Sequence, residues 1–321
     1  MKAAEEVSGS PAVLYLDMTG LDVEPGQALL TAAGIEVMAA ADDPGPEAMD
    51  RVVALLTGYG EVTEDLLERL PALRLIATHS VGVDMVDIAA ARARGVTVAN
   101  VPASAVDEVA VHALALALAL IRRIPAFDRD VRAGRWDRHT SPLPRVPGDM
   151  TCGVVGLGRI GRRFAEVAIP LFGRVVGFDP GVPTHAWPET VESLEWAELL
   201  SVSDCLSLHL PLTSETANML DENALQRLPP GAVVINVSRG ALVDEKALVA
   251  ALESGHVSGV GLDVRSAEPV PAGDALSNRA DVVSTPHVAY LSPGSVRRYA
   301  EVPARNVIAM LEGGRPLHPV D

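Results

Sequence analysis

The chain has 321 residues, 48% of them apolar and 21% charged, and its 26 basic against 42 acidic side chains give a net charge of −16. That length fits two domains at about 150 residues each, and the composition excludes disordered, collagenous and coiled-coil chains. So acidic a surface repels nucleic acid and anionic membranes, so neither is expected as a partner, and any anion site has to be built locally.

Aromatics are only 3%, so the cores are expected to be aliphatic. The first residues, MKAAEEVSGS, are polar and acidic and do not read as a secretory signal. The longest apolar run, Ala113 to Ile121, falls far short of the roughly 20 residues of a membrane span. A cytoplasmic protein is expected. Cys152 and Cys205 lie in apolar stretches that read as buried strands, which argues against a disulfide framework.

The N-terminal third alternates strand and helix. Strands are predicted at Ala12–Leu16, Ile35–Ala39, Val52–Leu56, Leu73–Thr78 and Val96–Ala99. Helices are predicted at Gly26–Ala33, Thr63–Leu70 and Val86–Arg94, the second opened by Thr-Glu-Asp and stopped by Pro71. This alternation means βαβ units and a parallel sheet covered on both faces. Ala105–Arg123 reads as one long helix, apolar on both sides and so buried on both sides. Its Ala and Leu content and lack of β-branching favour helix over strand. The Pro-rich stretch Ser141–Pro147 reads as a connector. A second βα series follows: strand Thr151–Val155, helix Arg162–Phe172, and strands Arg174–Phe178, Cys205–Leu208, Ala232–Val237, Val260–Asp263 and Val282–Ser284. The fold class is therefore α/β, with two doubly wound parallel-sheet domains and the active site expected in the cleft between them.

Gly156-Leu157-Gly158-Arg159-Ile160-Gly161 fits G-x-G-x-x-G between a strand and a helix, the context a dinucleotide site requires. The first glycine permits the turn, the second lets the backbone approach a pyrophosphate, and the third lets helix pack on strand. The helix N-terminus supplies free N–H groups for the phosphate. Asp179, 18 residues past Gly161 at the next strand end, can accept from the ribose hydroxyls of NAD and would repel a 2′-phosphate. NAD is the expected cofactor. It carries the hydride itself, so no metal is needed.

Three further blocks are Asn236-Val237-Ser238-Arg239-Gly240 running to Asp244, Gly261-Leu262-Asp263-Val264 with Glu268-Pro269, and Thr285-Pro286-His287. With the glycine motif, they make the chain similar to the NAD-dependent D-isomer-specific 2-hydroxyacid dehydrogenase family. Weaker likeness extends to Ser80-Val81-Gly82-Val83-Asp84. The resemblance implies a flavodoxin-like substrate domain from residues 1–102 and 288–321 and a Rossmann NAD domain from 103–287. It implies that Arg239 binds the substrate carboxylate and the reacting oxygen, that His287 is the general acid–base, and that Glu268 holds the imidazole and favours its charged form. It further implies that Asp263 lies near the nicotinamide carboxamide and that Ser80, Val81 and Gly82 clamp the substrate carboxylate. Val237, His209 and Pro211 are expected to shape the cofactor pocket.

The chemistry agrees. Reducing a 2-keto acid puts negative charge on the carbonyl oxygen, which a protonated His can neutralise and an Arg can stabilise. An Arg fork matches a carboxylate bidentately. Each residue also has a plainer reading: Arg239 as a surface charge, Glu268 as a solvated loop acid, His287 as a loop histidine, His112 as a packed core histidine. Family members acting on phosphoglycerate carry pocket arginines in two N-terminal loops, and the matching positions here are Thr57 and Thr78, so a phosphate-bearing substrate is not expected. His79, Tyr59 and Tyr290 are candidates to line the pocket. The long apolar helix predicts a homodimer. The expected function is an NAD-dependent reductase of a small 2-keto acid or dehydrogenase of a D-2-hydroxy acid. The alternative is an NAD-sensing, corepressor-like binding protein of the same fold, which turnover with a panel of 2-keto acids would distinguish.

Overall fold

Short, wholly apolar runs dominate both halves of the chain, and they form parallel strands buried on both faces. The computed structural model describes residues 10–17, 20–137 and 142–320. Residues 1–9 of the polar N-terminus and Ser141 of the Pro-rich connector lie outside them. The chain divides into two units, one ending at Ser104 and resuming at Ser292, the other Ala105–Leu291.

The first unit runs through β1 (Ala12–Tyr15), α1 (Glu24–Ala32), β2 (Glu36–Ala39), α2 (Pro46–Met49), β3 (Val52–Thr57), α3 (Glu64–Glu68), β4 (Leu75–Thr78), α4 (Ile88–Ala93) and β5 (Thr97–Ala99). The second runs through α5 (Val106–Ile121), α6 (Ile124–Arg132), β6 (Thr151–Val155), α7 (Arg159–Ala168), β7 (Arg174–Phe178), β8 (Glu192–Ser193) and α8 (Trp196–Val202). It continues with β9 (Cys205–Leu208), α9 (Glu222–Arg227), β10 (Ala232–Asn236), α10 (Glu245–Glu253), β11 (Val257–Leu262) and β12 (Val282–Ser284). The chain then returns to the first unit as α11 (Pro293–Leu311).

In the first unit the sheet order is β2-β1-β3-β4-β5, all parallel. Every residue of β3 is buried, with Leu55 and Leu56 fully enclosed on opposite faces. Cutting such a leucine to alanine costs about 2–5 kcal/mol. The second sheet has the order β12-β11-β10-β9-β6-β7-β8, again all parallel. Its strand order reverses direction at β6 and β9, the switch point where open α/β sheets bind ligands beyond the strands' carboxyl ends. Cys152 and Cys205 are register partners on those two strands, both buried and free. The hydrogen bond from Cys205 and burial together push the Cys152 thiol up, away from the reactive thiolate.

The glycine-motif helix and the long apolar helix differ from expectation. The helix of the glycine motif starts at Arg159, with Gly158 as N-cap, rather than at Arg162. The long helix stops at Ile121, because Arg123 takes a left-handed conformation (φ 55°). A separate α6 follows at 63° to it. Nor is α5 buried on both sides: Ala113, Leu116 and Ala117 are enclosed, while Val111 stays 51% exposed. Among the described residues, no single helix is long and apolar enough to cross a membrane.

The helix α11 contains Pro303, which has no N–H to give the Tyr299 carbonyl four residues earlier. His79 fills that gap, donating from Nδ1 to the Tyr299 oxygen at 2.8 Å. Its ring stacks on Tyr15 (centroids 5.6 Å apart) and is 7% exposed. Burial pushes its pKa down, against the pull of the Tyr299 carbonyl and Asp17. His79 is thus a helix-supporting core residue and does not line an open pocket.

Candidate active site

The glycine loop follows β6 at the switch point of the second sheet. Gly156 has φ +91°, and a Cβ there would lie 2.7 Å from the His209 backbone. A Cβ on Gly161 would lie 1.8 Å from the Gly156 carbonyl oxygen, so only glycine lets α7 start this close to the strand. At Gly158 a Cβ would meet nothing within 4 Å, which leaves the N-terminus of α7 open to a ligand. Asp179 holds the loop from below: Oδ2 accepts from the Leu157 amide (2.6 Å), and Oδ1 from Gly181 and Val182 (2.8 and 3.0 Å). A carboxylate offers about four acceptor positions, so one is left for a ribose hydroxyl.

His209 is half-buried. Its Nε2 pairs with the Ser207 hydroxyl at 2.9 Å and its ring packs on Phe164. Burial drops its pKa to about 3, so it is neutral and shapes the pocket wall without titrating. Val237 is buried, and Ile160 is half-buried. Arg159 and Pro211 are exposed, the Pro211 carbonyl accepting from the Thr216 hydroxyl.

Arg239, Glu268, His287 and Asp263 come together beyond the carboxyl ends of β10, β11 and β12. Asn236 folds the turn after β10: its Nδ2 donates to the Arg239 carbonyl (2.8 Å) and its Oδ1 accepts from the Ser238 amide (3.0 Å). The Ser238 hydroxyl ties the turn to the Leu208 carbonyl at the end of β9 (2.8 Å). Asp244, the last residue of the same block, caps α10 through the Lys246 and Ala247 amides.

Glu268 divides its two oxygens. Oε1 accepts from the Arg265 amide at 2.8 Å, and Oε2 accepts from His287 Nδ1 at 2.7 Å. Burial would raise this carboxyl, but those two hydrogen bonds and the nearby charges of His287 and Arg239 hold it below the usual carboxylate value. The Glu268 loop is anchored by Arg265, whose guanidinium is bidentate to both Glu245 and Asp274 at 2.7–3.1 Å.

His287 sits at φ +55°, a left-handed conformation that costs a non-glycine residue about 1–3 kcal/mol. Asp263 holds it there. The Asp263 carbonyl accepts from the His287 amide (2.8 Å), and its carboxylate accepts from the Val288 and Ala289 amides (2.9 Å each) and from the Thr285 hydroxyl (2.6 Å). Asp263 is 1% exposed. Tyr290 stands edge-on to the His287 ring, with centroids 6.4 Å apart.

Ser80, Val81 and Gly82 lie in the first unit, after β4. Their carbonyls accept from Thr78 and Val101, from Asn100, and from the Ser80 hydroxyl, respectively, which fixes the loop's path. After β3, the Oδ2 of Asp17 accepts from the Thr57 hydroxyl and from the Gly58, Tyr59 and Gly60 amides at 2.7–3.0 Å. Sequence reasoning missed Asp17, Gly240, Arg265, and the grip of Asp263 on the His287 loop.

The second unit thus carries an open parallel sheet with a glycine loop at its switch point and a His–carboxylate–Arg cluster beyond the same ends of its strands. The family model described as D-isomer specific 2-hydroxyacid dehydrogenase, NAD binding domain, matches residues 114–289, and the chain belongs to that family. It is 38% identical over 271 residues to a glyoxylate reductase of Korarchaeum cryptofilum, covering 83% of this chain and 81% of that protein. It is 43% identical over 228 residues to D-3-phosphoglycerate dehydrogenase of Mycobacterium tuberculosis, covering 71% of this chain and 43% of that protein. The chain thus spans less than half the length of this relative. The solved structure of D-lactate dehydrogenase from Aquifex aeolicus, complexed with NAD and lactic acid, superposes with a TM-score of 0.86 at 29% identity, covering 94% of this chain and 96% of that one. These relatives are named as dehydrogenases and reductases, which does not favour the corepressor-like alternative.

Proposed function

We propose that the protein reduces a small 2-keto acid with NADH, and in reverse oxidises the D-2-hydroxy acid. The observation that carries this reading is the 2.7 Å hydrogen bond between His287 Nδ1 and Glu268 Oε2, within reach of the Arg239 charge. When bound at the glycine loop, the dinucleotide supplies the hydride. Arg239 binds the substrate carboxylate and stabilises the charge that grows on the carbonyl oxygen. His287 delivers the proton to that oxygen, and takes it back in the oxidative direction. Glu268 fixes the ring's orientation through its hydrogen bond to Nδ1. Ser80, Val81 and Gly82 contribute the backbone clamp for the carboxylate.

The substrate's far end is read as uncharged. Thr57 and Thr78 are fully buried and hydrogen-bonded, and the Gly58, Tyr59 and Gly60 amides already hold Asp17. No cation on that loop awaits a phosphate. Residues 1–102 with 288–321 serve as the substrate domain and 103–287 as the dinucleotide domain. The protein is read as a cytoplasmic homodimer, supported by the uncovered side of α5 around Val111. A monomer in light scattering at micromolar concentration would contradict the dimer.

The functional test is NADH oxidation with glyoxylate, hydroxypyruvate, pyruvate and 3-phosphohydroxypyruvate. Turnover of one or more of the first three, with the phosphate ester slowest, is expected. NADH binding without turnover of any would overturn the reading in favour of a dinucleotide-sensing protein.

A further inference from the structure

Helix α5 and strand β11 are matched by spacing. A Cβ on Gly259 would meet Leu120 Cδ2 at 3.1 Å, and one on Gly261 would meet Leu116 Cβ at 3.0 Å. Alternate residues of a strand lie about 6.6 Å apart on one face, and residues four apart on a helix about 6.0 Å. The two glycines let the helix lie directly on the strand, and the ladder 259/120, 261/116 continues to 263/112. Its last rung is polar: His112 Nε2 lies 3.7 Å from Asp263 Oδ1 and 2.9 Å from Thr285 Oγ1.

The protons in this cluster can be counted. The Thr285 hydroxyl has a single hydrogen and gives it to Asp263 Oδ1 at 2.6 Å. The carboxylate has none to return, since both its oxygens already accept backbone amides. Thr285 Oγ1 must therefore accept from His112, which places a proton on His112 Nε2. The relay runs His112 to Thr285 to Asp263, and Asp263 holds the Thr285 hydroxyl on one side of the strained His287 and the Val288 and Ala289 amides on the other.

We infer that His112 is a positioning residue for the acid–base histidine, acting through Thr285 and Asp263. Its effect on turnover rests on the dehydrogenase reading above. Without its N–H, the Thr285 hydroxyl loses the donor that fixes its rotor. The 285–289 segment is then free to relax from the left-handed conformation, and His287 turns away from its line to the substrate. A displacement of about 1 Å at a reacting group can cost up to about a hundredfold.

Two measurements test this on the full chain. Long-range proton–nitrogen correlation on ¹⁵N-labelled protein, with the signal assigned by its loss in His112→Gln, should show His112 protonated at Nε2. A neutral ring protonated only at Nδ1 would overturn the relay. Steady-state kinetics should then show kcat for keto-acid reduction falling about tenfold in His112→Leu with little change in the KM for NADH. His112→Gln, whose amide N–H reaches a similar distance, should recover most of that loss. Equal losses in both variants, or no loss in His112→Leu, would overturn the positioning role. If the unaltered protein turned over no 2-keto acid, the dehydrogenase reading would fall and the kinetic arm with it, and the protonated nitrogen would still decide the relay.

Discussion

Gly240 lies directly on the backbone of Arg265. A Cβ at Gly240 would sit 2.0 Å from the Arg265 carbonyl carbon, so no side chain fits. This contact joins two loops that are far apart in sequence: Gly240 follows Arg239, and the Arg265 amide holds Glu268. The glycine of the N-V-S-R-G block is therefore what sets Arg239 beside Glu268, the carboxylate bonded to His287.

Gly240→Ala should separate the loops. Overpacking against backbone typically costs about 1–3 kcal/mol. We expect a lower Tm together with a raised KM for the keto acid, read by thermal unfolding and steady-state kinetics. A variant with unchanged KM would show that the contact does not place Arg239.

Arg265 neutralises two carboxylates that its loss would leave facing each other. Its hydrogen bonds lead the causes that hold Asp274 down, at about 2 against an ordinary 3.8. A depressed carboxyl contributes stability that is fully present above its ordinary value and lost as pH falls through the folded value. The network's contribution should thus be intact at pH 5 and fade between about pH 4 and 2. Arg265→Met should destabilise by about 1–3 kcal/mol at neutral pH, because two half-buried carboxylates lose the guanidinium that pairs them. Its Tm should also fall less than that of the unaltered protein between pH 5 and 2. Parallel Tm curves would contradict the assignment.

Asp179 should make the protein prefer NADH. Its carboxylate already carries three backbone hydrogen bonds and stands where a 2′-phosphate would have to fit, and Pro180 and Gly181 follow it without a basic group. The ratio of kcat/KM for the two dinucleotides measures this, and equal or better use of NADPH would refute it.

The parallel architecture was legible because its strands, such as Val52–Thr57 and Ala232–Asn236, are apolar on both faces. Arg239, Glu268 and His287 stood out because each sits in a short block of distinctive composition. Less visible were features that depend on contacts between distant segments. α11 went unread despite the capping box at Ser292 and Ser295, since Pro303 interrupts its pattern. His79 looked like a pocket residue because nothing local shows that Pro303 leaves a carbonyl for it. His112 looked like a core histidine, and only its spacing against Gly259, Gly261 and Asp263 hints otherwise. The two-sided apolar pattern of α5 overstated its burial, because periodicity shows which sides are apolar and not what covers them.

Glu268→Gln should slow keto-acid reduction. The amide oxygen can still accept from His287 Nδ1, but the bond is no longer charge-assisted and holds the ring less firmly. A loss of about 1.4 kcal/mol, or about tenfold in kcat, is expected with NADH binding unchanged. An unchanged kcat would make Glu268 a loop acid with no part in the reaction.

The most direct measurement is His287→Ala, assayed for keto-acid reduction and, separately, for NADH binding by fluorescence. Removing a general acid typically costs about 10²–10⁴-fold in rate. The glycine loop, Asp179 and His209 are untouched by the change, so NADH should bind as before. A rate within a fewfold of the unaltered protein would contradict His287 as the proton donor, and with it the proposed chemistry.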